Sequence, residues 1–278
     1  MKIGIVCVNY LTDTLAQNYC RSIFKAFKNF GDGLDIHLCV VNVGSSTTHS
    51  EFETLRENFR SKFFKFDILS EQDNLGYLGG ASKGIDLLNK TGSEHYDFIA
   101  ISNVDLNLKE NFFIELKKLG DVEEIGIIAP SVLSEKRKVD LNPKMLLKPK
   151  KWKIFFNYMS THSTVFFQLK LLQSSFYNLL RSKRNRERVD QDIYAPHGAF
   201  ILLTRHYIKD CLNIKYPVFL FGEEMYFAEE CKSKELKVRY YPNLCVYDFD
   251  HGSTGKKAID WLRQEFKKSY AHILRNYY

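Results

Sequence analysis

Short apolar runs alternate with stretches of helical spacing through the first half of the chain. Residues 3–9 and 35–42 are apolar runs, and residues 13–29 between them place apolar side chains four positions apart. Further apolar runs follow at 63–69, 98–102 and 125–129. Repeated β-α-β units of this kind predict an α/β fold, in which helices cover both faces of a mostly parallel central sheet.

The alternation stops at residues 134–194, where lysines and arginines mix with aromatic residues and leucines. This segment predicts a helical basic insertion. Its helices could pack on the domain as ordinary amphipathic elements, or they could lie against an anionic bilayer, with the rings among the lipids and the cations at the headgroups. Aromatic side chains among basic ones could also stack on nucleic acid bases, which is the least favoured interpretation.

An ordered pattern returns after residue 195. Residues 197–204 and 237–241 predict strands, residues 223–235 predict a helix, and a basic aromatic helix is expected from residue 257 onward. No internal repeat and no low-complexity linker interrupts the sequence. We therefore expect residues 1–278 to form a single domain.

Composition narrows the classes of function. The net charge of the 278 residues is +7, and much of the basic excess lies in the middle of the chain, which favours a polyanionic partner. No apolar run approaches the roughly 20 residues that a membrane span requires. The amino terminus is typical of a first strand and not of an export signal, so we expect a cytoplasmic location. Six cysteines without C-x-x-C spacing predict reduced thiols.

Polar residues follow the apolar runs where the predicted strands end. These residues are Asn9, Tyr10, Asn42, Asn103 and Asp105. Ligand sites in α/β sheets lie at the carboxyl ends of the strands, so we expect these side chains to border one pocket. A carboxylate at this edge, such as that of Asp105, can hold a divalent cation that neutralises a diphosphate.

A glycine-rich segment at 74–84 lies between a predicted strand and the helix expected near 80–90. Its four glycines are Gly76, Gly79, Gly80 and Gly84. Glycines in such a loop would let backbone amides approach a ligand closely. The spacing is not G-x-G-x-x-G and the segment follows the third strand, not the first, so a dinucleotide-binding loop is disfavoured.

Two segments nearer the carboxyl terminus could carry further chemistry. Glu223 and Glu224 open a predicted helix, where glutamates either stabilise the helix dipole or accept a proton as a general base. His251 lies among glycine and hydroxyl residues. It could be a structural hydrogen bonder, or it could join Asp105 around Mg²⁺ or Mn²⁺.

In order and spacing these segments resemble the family 2 inverting glycosyltransferases with the GT-A fold, particularly the bacterial rhamnosyltransferase-like proteins that build O-antigens and capsules. The resemblance covers nearly all of the chain apart from 134–194. It rests on seven motifs: Val8-Asn9-Tyr10, Val41-Asn42, residues 74–84, Asn103-Val104-Asp105, Gly198-Ala199, Glu223-Glu224 and His251-Gly252-Ser253.

The resemblance implies which residues bind the donor. The base and ribose of a nucleotide sugar would be lined by Val8, Asn9, Tyr10 and Asn42. The donor pocket would be shaped by Asn74, Gly76, Tyr77, Gly79 and Gly80. Asn103 and Asp105 match a D-x-D type motif, whose final aspartate binds Mg²⁺ or Mn²⁺ on the diphosphate. His251 matches a histidine that completes this metal site in several relatives.

The resemblance also implies a general base, at Glu224, the second residue of the acidic pair. The chain departs from the usual pattern in four ways: Asn42 and Asn103 each replace an acid, Ser82 replaces an asparagine, and Met225-Tyr226-Phe227 replaces an aspartate and leucine after the acidic pair. This last departure leaves Glu223 open as the base.

The implied activity is inverting transfer of a sugar from a UDP- or dTDP-sugar to a saccharide acceptor, which we expect to be lipid-linked. Residues 1–133 would bind the donor, while residues 195–278 would bind the acceptor and catalyse, in a protein that could be peripheral to the inner membrane face. Two rivals are a non-catalytic sugar-nucleotide-binding protein and a nucleotidyltransferase. The latter would require a phosphate-binding loop that is missing after the first strand.

Overall fold

The computed structural model describes residues 1–44, 50–90, 96–120, 122–182, 188–211, 213–249 and 258–278. The strands are β1 (Lys2–Asn9), β2 (Asp35–Val43), β3 (Phe64–Glu71), β4 (Phe98–Ser102), β5 (Leu106–Leu108), β6 (Ile125–Ser134), β7 (Val139–Asp140), β8 (Gln191–Ile193), β9 (Phe200–Thr204) and β10 (Lys237–Asp248). The helices are α1 (Asp13–Phe30), α2 (Ser50–Asn58), α3 (Gly76–Lys90), α4 (Phe112–Lys118), α5 (Lys151–Ser160), α6 (Thr164–Ser182), α7 (Arg205–Cys211), α8 (Glu223–Ser233) and α9 (Ile259–Tyr277).

The strands form one sheet in the order β3-β2-β1-β4-β9-β6-β10-β5, with β7 paired to β6 and β8 paired to β10. Strands β3, β2, β1 and β4 are parallel to one another, and so are β6 and β10. Strand β9 runs antiparallel to both of its neighbours. The predicted fold class, a mostly parallel central sheet flanked by helices, is confirmed.

Helices cover both faces of the sheet because β1 is apolar on both sides. Ile5 and Cys7 belong to a core that includes residues of α1, α2 and α4, whereas Val6 belongs to a core that includes residues of α3, α7 and α8. Successive side chains of a strand point to opposite faces, so a continuous apolar run is the pattern of a strand buried on both sides. Five cysteines, Cys7, Cys20, Cys39, Cys231 and Cys245, are buried with free thiols.

The glycine-rich segment is helical from Gly76 onward, so the prediction of a loop over 74–84 is wrong for most of its length. A Cβ atom at Gly80 would lie 2.8 Å from Cγ1 of Val8, and one at Gly84 would lie 3.0 Å from Cγ2 of Val41. These glycines let α3 approach β1 and β2 more closely than a side chain would allow. Close packing has overridden the low helix propensity of glycine.

The segment at 134–194 forms α5 and α6, as predicted, and also supplies β7 and β8 to the sheet. Ile154 of α5 packs with Ile273 of α9. Phe167 of α6 is buried, and its ring centroid lies 5.6 Å from that of Phe266 in α9. Both helices are thus held against α9. No helix in the described ranges is long and apolar enough to cross a membrane.

Candidate active site

A cavity of about 250 Å³ lies where β1 and β4 end and α8 begins. Its lining consists of Val8, Tyr10, Thr12, Leu15, Val43, Asn74, Gly76, Tyr77, Asn103, Val104, Asp105, His197, Gly198, Ala199, Phe219, Leu220, Phe221, Glu223, Glu224 and Trp261. Because β1 and β4 are parallel neighbours, the residues that follow each strand meet at the same edge of the sheet.

Asp105 reaches this edge through the short segment that follows β4. The backbone N–H of Asn103 donates to the carbonyl of Ala199 at 2.9 Å, and the backbone N–H of Phe249 donates to the carbonyl of Asp105 at 3.0 Å. Val104, between them, is buried in the core. These contacts fix the backbone on both sides of Val104, so Asn103 and Asp105 are held at the cavity.

The acidic pair enters the cavity from the first turn of α8. Before it, Phe221 and Gly222 adopt φ angles of 69° and 91°, and the Tyr216 hydroxyl donates to the Phe221 carbonyl at 2.6 Å. A Cβ atom at Gly222 would lie 2.7 Å from Oγ of Ser269. At position 222 only glycine fits without strain, and the turn brings the start of α8 to the cavity.

The two carboxyl groups of the pair have different surroundings. Burial, with repulsion from Glu224 as the second cause, raises the pKa of Glu223 to about 8. The Oε1 atom of Glu224 lies 3.6 Å from Nζ of Lys144, which belongs to the segment before α5. A buried carboxyl group with such a pKa is mostly protonated at neutral pH, whereas the neighbouring group faces a lysine cation.

Aromatic rings form another part of the wall. Phe219 and Trp261 pack edge to face, with ring centroids 6.1 Å apart. Phe221 stacks on Phe266 of α9 at 3.9 Å. The Tyr77 hydroxyl donates to the Gly198 carbonyl at 2.8 Å and so joins the start of α3 to the segment before β9. The cavity therefore offers flat apolar surface beside its carboxylates.

Sequence reasoning missed residues 219–221 and Trp261 as part of the site. A signal existed for the first group, because the aromatic run directly precedes the acidic pair. Trp261 stands in the first turn of α9, 37 residues after Glu224, and only the tertiary structure brings it to the cavity.

His197 is a further lining residue that sequence reasoning did not single out. Burial lowers its pKa well below the ordinary value, with repulsion from Lys144 and Arg137 adding to the effect. Its Nδ1 atom accepts from the backbone N–H of Ala199 at 3.3 Å. The imidazole is therefore neutral at physiological pH, and its Nδ1 carries the lone pair that accepts this bond.

Nine of the residues predicted for the site line the cavity: Val8, Tyr10, Asn74, Gly76, Tyr77, Asn103, Asp105, Glu223 and Glu224. Gly79 and Gly80 lie in α3, outside the lining. Gly76 does lie at the wall, where its φ of 73° and the close approach of the Phe219 backbone exclude other residues.

Asn9 and Asn42 lie outside the lining, although they were predicted to line the base and ribose. The Asn9 side-chain amide donates to Oδ1 of Asn42 at 2.8 Å and to Oδ1 of Asp13 at 2.6 Å. Its Oδ1 accepts from both the backbone and the hydroxyl of Thr12. The Asn9 side chain is thus occupied in holding the turn from β1 into α1, and both asparagines are buried.

Of the two predicted metal ligands, Asp105 lines the cavity and His251 lies outside the described residues. Among those described, no three His, Cys, Asp or Glu side chains cluster as a metal site. Asp105 and Asn103 nevertheless offer side-chain oxygens at the cavity. Mg²⁺ commonly takes one or two carboxylates, with water and substrate phosphates completing its shell. The donor set therefore fits a cation that arrives with a diphosphate.

No family model and no curated protein matches the chain. Solved structures do. TarS of S. aureus superposes over 99% of the chain with a TM-score of 0.57 at 10% identity. TarS 1–349 in complex with UDP-GlcNAc superposes over 99% of the chain and 70% of its own length, with a TM-score of 0.57 at 11% identity. The chain has the GT-A fold.

A third structure extends the likeness to another sugar nucleotide. The mannosyltransferase PcManGT of Pyrobaculum calidifontis, in complex with GDP-Man and Mn²⁺, superposes over 99% of the chain and 70% of its own length, with a TM-score of 0.53 at 11% identity. The chain spans only 40% of the longer TarS chain. At these identities the likeness establishes the fold alone.

Proposed function

We propose that this protein is a glycosyltransferase that moves a sugar from a nucleoside-diphosphate sugar to an acceptor hydroxyl. The observation that carries the proposal is the meeting of Asp105 with Glu223 and Glu224 around one cavity at the carboxyl ends of the strands. The Asp105 carboxylate can bind a cation on the diphosphate, and a glutamate of the acidic pair can take the proton of the acceptor hydroxyl. The complexes of TarS with UDP-GlcNAc and of PcManGT with GDP-Man support the same ligand class.

Asp105, together with Asn103, would hold Mg²⁺ or Mn²⁺. A cation bound there would supply positive charge to the departing diphosphate. Val8, near the end of β1, and Tyr10, directly after β1, line the same cavity and would contact the nucleoside. His251 remains a predicted further ligand of the cation.

Glu224 is the better candidate for the general base. A base must be ionised to take the proton of the acceptor hydroxyl, and Glu223, with a pKa of about 8, is mostly protonated at neutral pH. In that state Glu223 can donate a hydrogen bond to a sugar hydroxyl or to Glu224. Attack on the face opposite the leaving diphosphate would invert the anomeric configuration.

The finer assignments come from the sequence resemblance. They are membership in family 2, a rhamnosyltransferase-like specificity, a UDP- or dTDP-linked rhamnose-like sugar or hexose as donor, and a lipid-linked saccharide acceptor in O-antigen or capsule synthesis. The cavity agrees with a sugar nucleotide in general.

A thermal-shift screen against UDP-, dTDP-, GDP- and CDP-sugars, each with and without Mn²⁺, tests the proposal. A ligand that binds only the folded protein raises its melting temperature, by an amount that grows with concentration over Kd. We expect one nucleotide class to raise it, and to do so only with Mn²⁺. Absence of a shift with all four classes would overturn the proposal. A shift without any turnover, including donor hydrolysis, would instead support the non-catalytic rival.

A further inference from the structure

Helices α5 and α6 turn a concentrated set of large apolar side chains away from the protein. Among the side chains that the structure describes, fourteen large hydrophobic ones are exposed, and ten of these lie between residues 146 and 172. We name these ten the α5–α6 face: Leu146, Leu147, Trp152, Phe155, Phe156, Met159, Val165, Phe166, Leu169 and Leu172. Apolar side chains scattered singly on a surface are ordinary, but a concentration of them marks an interaction site.

The helical register gathers these side chains into stripes. On α5, Trp152, Phe155, Phe156 and Met159 occupy positions i, i+3, i+4 and i+7, which share one side of a helix, while Ile154 points into the protein. On α6, exposed Phe166 directly precedes buried Phe167. Each helix thus has an inner apolar side packed on α9 and an outer apolar side that nothing in the described chain covers.

The charge of this segment is entirely of one sign. Residues 141–186 contain ten lysines and arginines and no aspartate or glutamate. Lys150, Lys151 and Lys153 are exposed on either side of Trp152. Nζ of Lys151 donates to the Tyr278 oxygen at 3.2 Å, whereas neither Lys150 nor Lys153 forms an ion pair with a side-chain carboxylate of the described residues. Apolar rings flanked by unneutralised cations suit a surface that is apolar inside and anionic at its boundary.

We propose that the α5–α6 face docks on an anionic lipid bilayer, with Trp152, Phe156 and Phe166 among the acyl chains and Lys150 and Lys153 at the headgroups. The helices would lie in the plane of the interface, since none of those described could span it. The proposal does not rest on the proposed function, because vesicle binding requires neither donor nor acceptor.

Two other occupants fit the face less well. A second copy of the chain would bring the same lysines together across a two-fold interface, and residues 141–186 provide no carboxylate to neutralise them. Single-stranded nucleic acid would stack on the aromatic rings, but it would leave Leu147, Met159, Val165 and Leu172 in water.

Flotation with vesicles tests the proposal directly. We expect the purified protein to float with vesicles of phosphatidylcholine containing a quarter phosphatidylglycerol, with at least about tenfold higher affinity than for phosphatidylcholine alone, since each cation near the surface adds to binding. High salt should weaken this preference by screening. Equal affinity for both vesicles, or no flotation with either, would overturn the proposal. So would salt-sensitive binding to a single-stranded RNA without flotation.

The contribution of the apolar side chains to vesicle binding is tested by the double variant Phe156→Ser and Phe166→Ser. The two phenylalanine side chains are 64% and 65% exposed. This variant should lose most of its flotation while keeping its melting temperature. The matched control is Phe63→Ser, 51% exposed just before β3, which should float as the unaltered protein does. Equal loss in both variants would contradict a role for this face in particular. Conversion of a dimer to a monomer in sedimentation, with flotation unchanged, would assign the face to self-association.

The contribution of the lysines to vesicle binding is tested by the double variant Lys150→Glu and Lys153→Glu. We expect about tenfold or greater loss of affinity for the anionic vesicles. Lys62→Glu combined with Lys90→Glu changes the net charge equally at two exposed sites on other segments. If the two double variants lose the same affinity, only the total charge matters and the docking proposal fails.

Fluorescence can locate the contact independently. The chain has two tryptophans, Trp152 on the face and Trp261 at the cavity, so Trp261→Phe leaves one reporter on α5. Its emission should shift to the blue with anionic vesicles, and brominated acyl chains should quench it. An unchanged spectrum in protein that floats would place the membrane contact elsewhere and overturn the assignment of this face.

Discussion

The cavity and the α5–α6 face both display aromatic rings, but they surround them with opposite charge and shape. At the cavity, Phe219 and Trp261 pack against each other beside two glutamates and Asp105. On the face, Phe156 and Phe166 project into solvent within a segment that has no acidic residue. Enclosed rings beside carboxylates suit a small ligand that brings phosphates and a cation. Open rings beside lysines suit an extended anionic surface.

The contrast teaches that residue type alone does not assign function in this chain. Aromatic and charged residues occur in both regions. The two regions differ in the charged groups beside the rings, which are carboxylates at the cavity and lysines on the α5–α6 face. The two regions also contact each other through Lys144, which pairs with Glu224 and belongs to the basic segment. The two regions should therefore respond differently to substitution, and each variant below is expected to change a property of one region without changing the other.

The largest expected effect is on turnover, from Glu224→Gln. Loss of a general base typically lowers the rate by about 100- to 10,000-fold. Donor affinity should stay nearly unchanged, because the base acts on the acceptor. A radiolabelled transfer assay measures turnover, and thermal shift with the nucleotide measures binding. If Glu223→Gln abolishes turnover and Glu224→Gln does not, the two roles are exchanged.

Stability separates the inner and outer sides of α6 at adjacent positions. Phe167→Ala removes a buried ring that packs on Phe266, and should lower the free energy of unfolding by about 3–5 kcal/mol. Phe166→Ala removes a ring that is 65% exposed, and should change it by less than about 0.5 kcal/mol. Urea unfolding measures both. Comparable losses would mean that Phe166 is structural and that the outer side is not available for docking.

The sequence predicted the elements whose apolar pattern is long and regular. Strand β4 occupies the predicted residues, and α1 spans the predicted residues 13–29 and one more. It did not predict β5, β7 or β8, which have three residues or fewer, because so short a run shows no periodicity. It also missed α2, α4 and α7, short helices of seven to nine residues.

At the site, the sequence predicted correctly those residues whose position follows from the sheet topology alone. Asn103 and Asp105 follow a strand, and any parallel sheet puts them at its ligand edge. Asn42 also ends a strand, yet it lies outside the cavity lining in a pair with Asn9. Asn42 differs from Asn103 and Asp105 in how its side chain packs, and the apolar pattern of a strand gives no information on that packing. Gly79 and Gly80 were misplaced because glycine serves loops and tight helix packing equally well.

The third prediction concerns the metal and belongs to the cavity alone. Asp105→Asn keeps the size of the side chain but removes its negative charge, and should weaken Mn²⁺ binding in the presence of nucleotide by roughly 10- to 100-fold or more. Calorimetric titration of Mn²⁺ with UDP present measures this. Asp86→Asn, at an exposed position of α3, is the control. Unchanged Mn²⁺ affinity in Asp105→Asn would remove this residue from the metal site, whereas vesicle flotation should be unaffected in both variants.

The smallest expected effect is a change in the pH dependence of stability, from Glu223→Gln. The pKa of Glu223 rises on folding from the ordinary 4.5 to about 8, so the folded protein holds a proton that the unfolded chain releases. The stability contributed by protonated Glu223 is therefore complete below pH 4.5 and is lost as the pH rises through about 8. Glutamine stays neutral throughout, so the variant should gain roughly 5 °C in melting temperature relative to the unaltered protein at high pH and little at low pH.

Glu57→Gln, exposed on α2, measures the general effect of losing one carboxylate, and differential scanning fluorimetry across the pH range compares the variants. A gain for Glu223→Gln that is the same at every pH would show that burial does not hold its proton. The argument that assigns the base to Glu224 would then lose its support, because Glu223 would also be able to accept a proton at neutral pH.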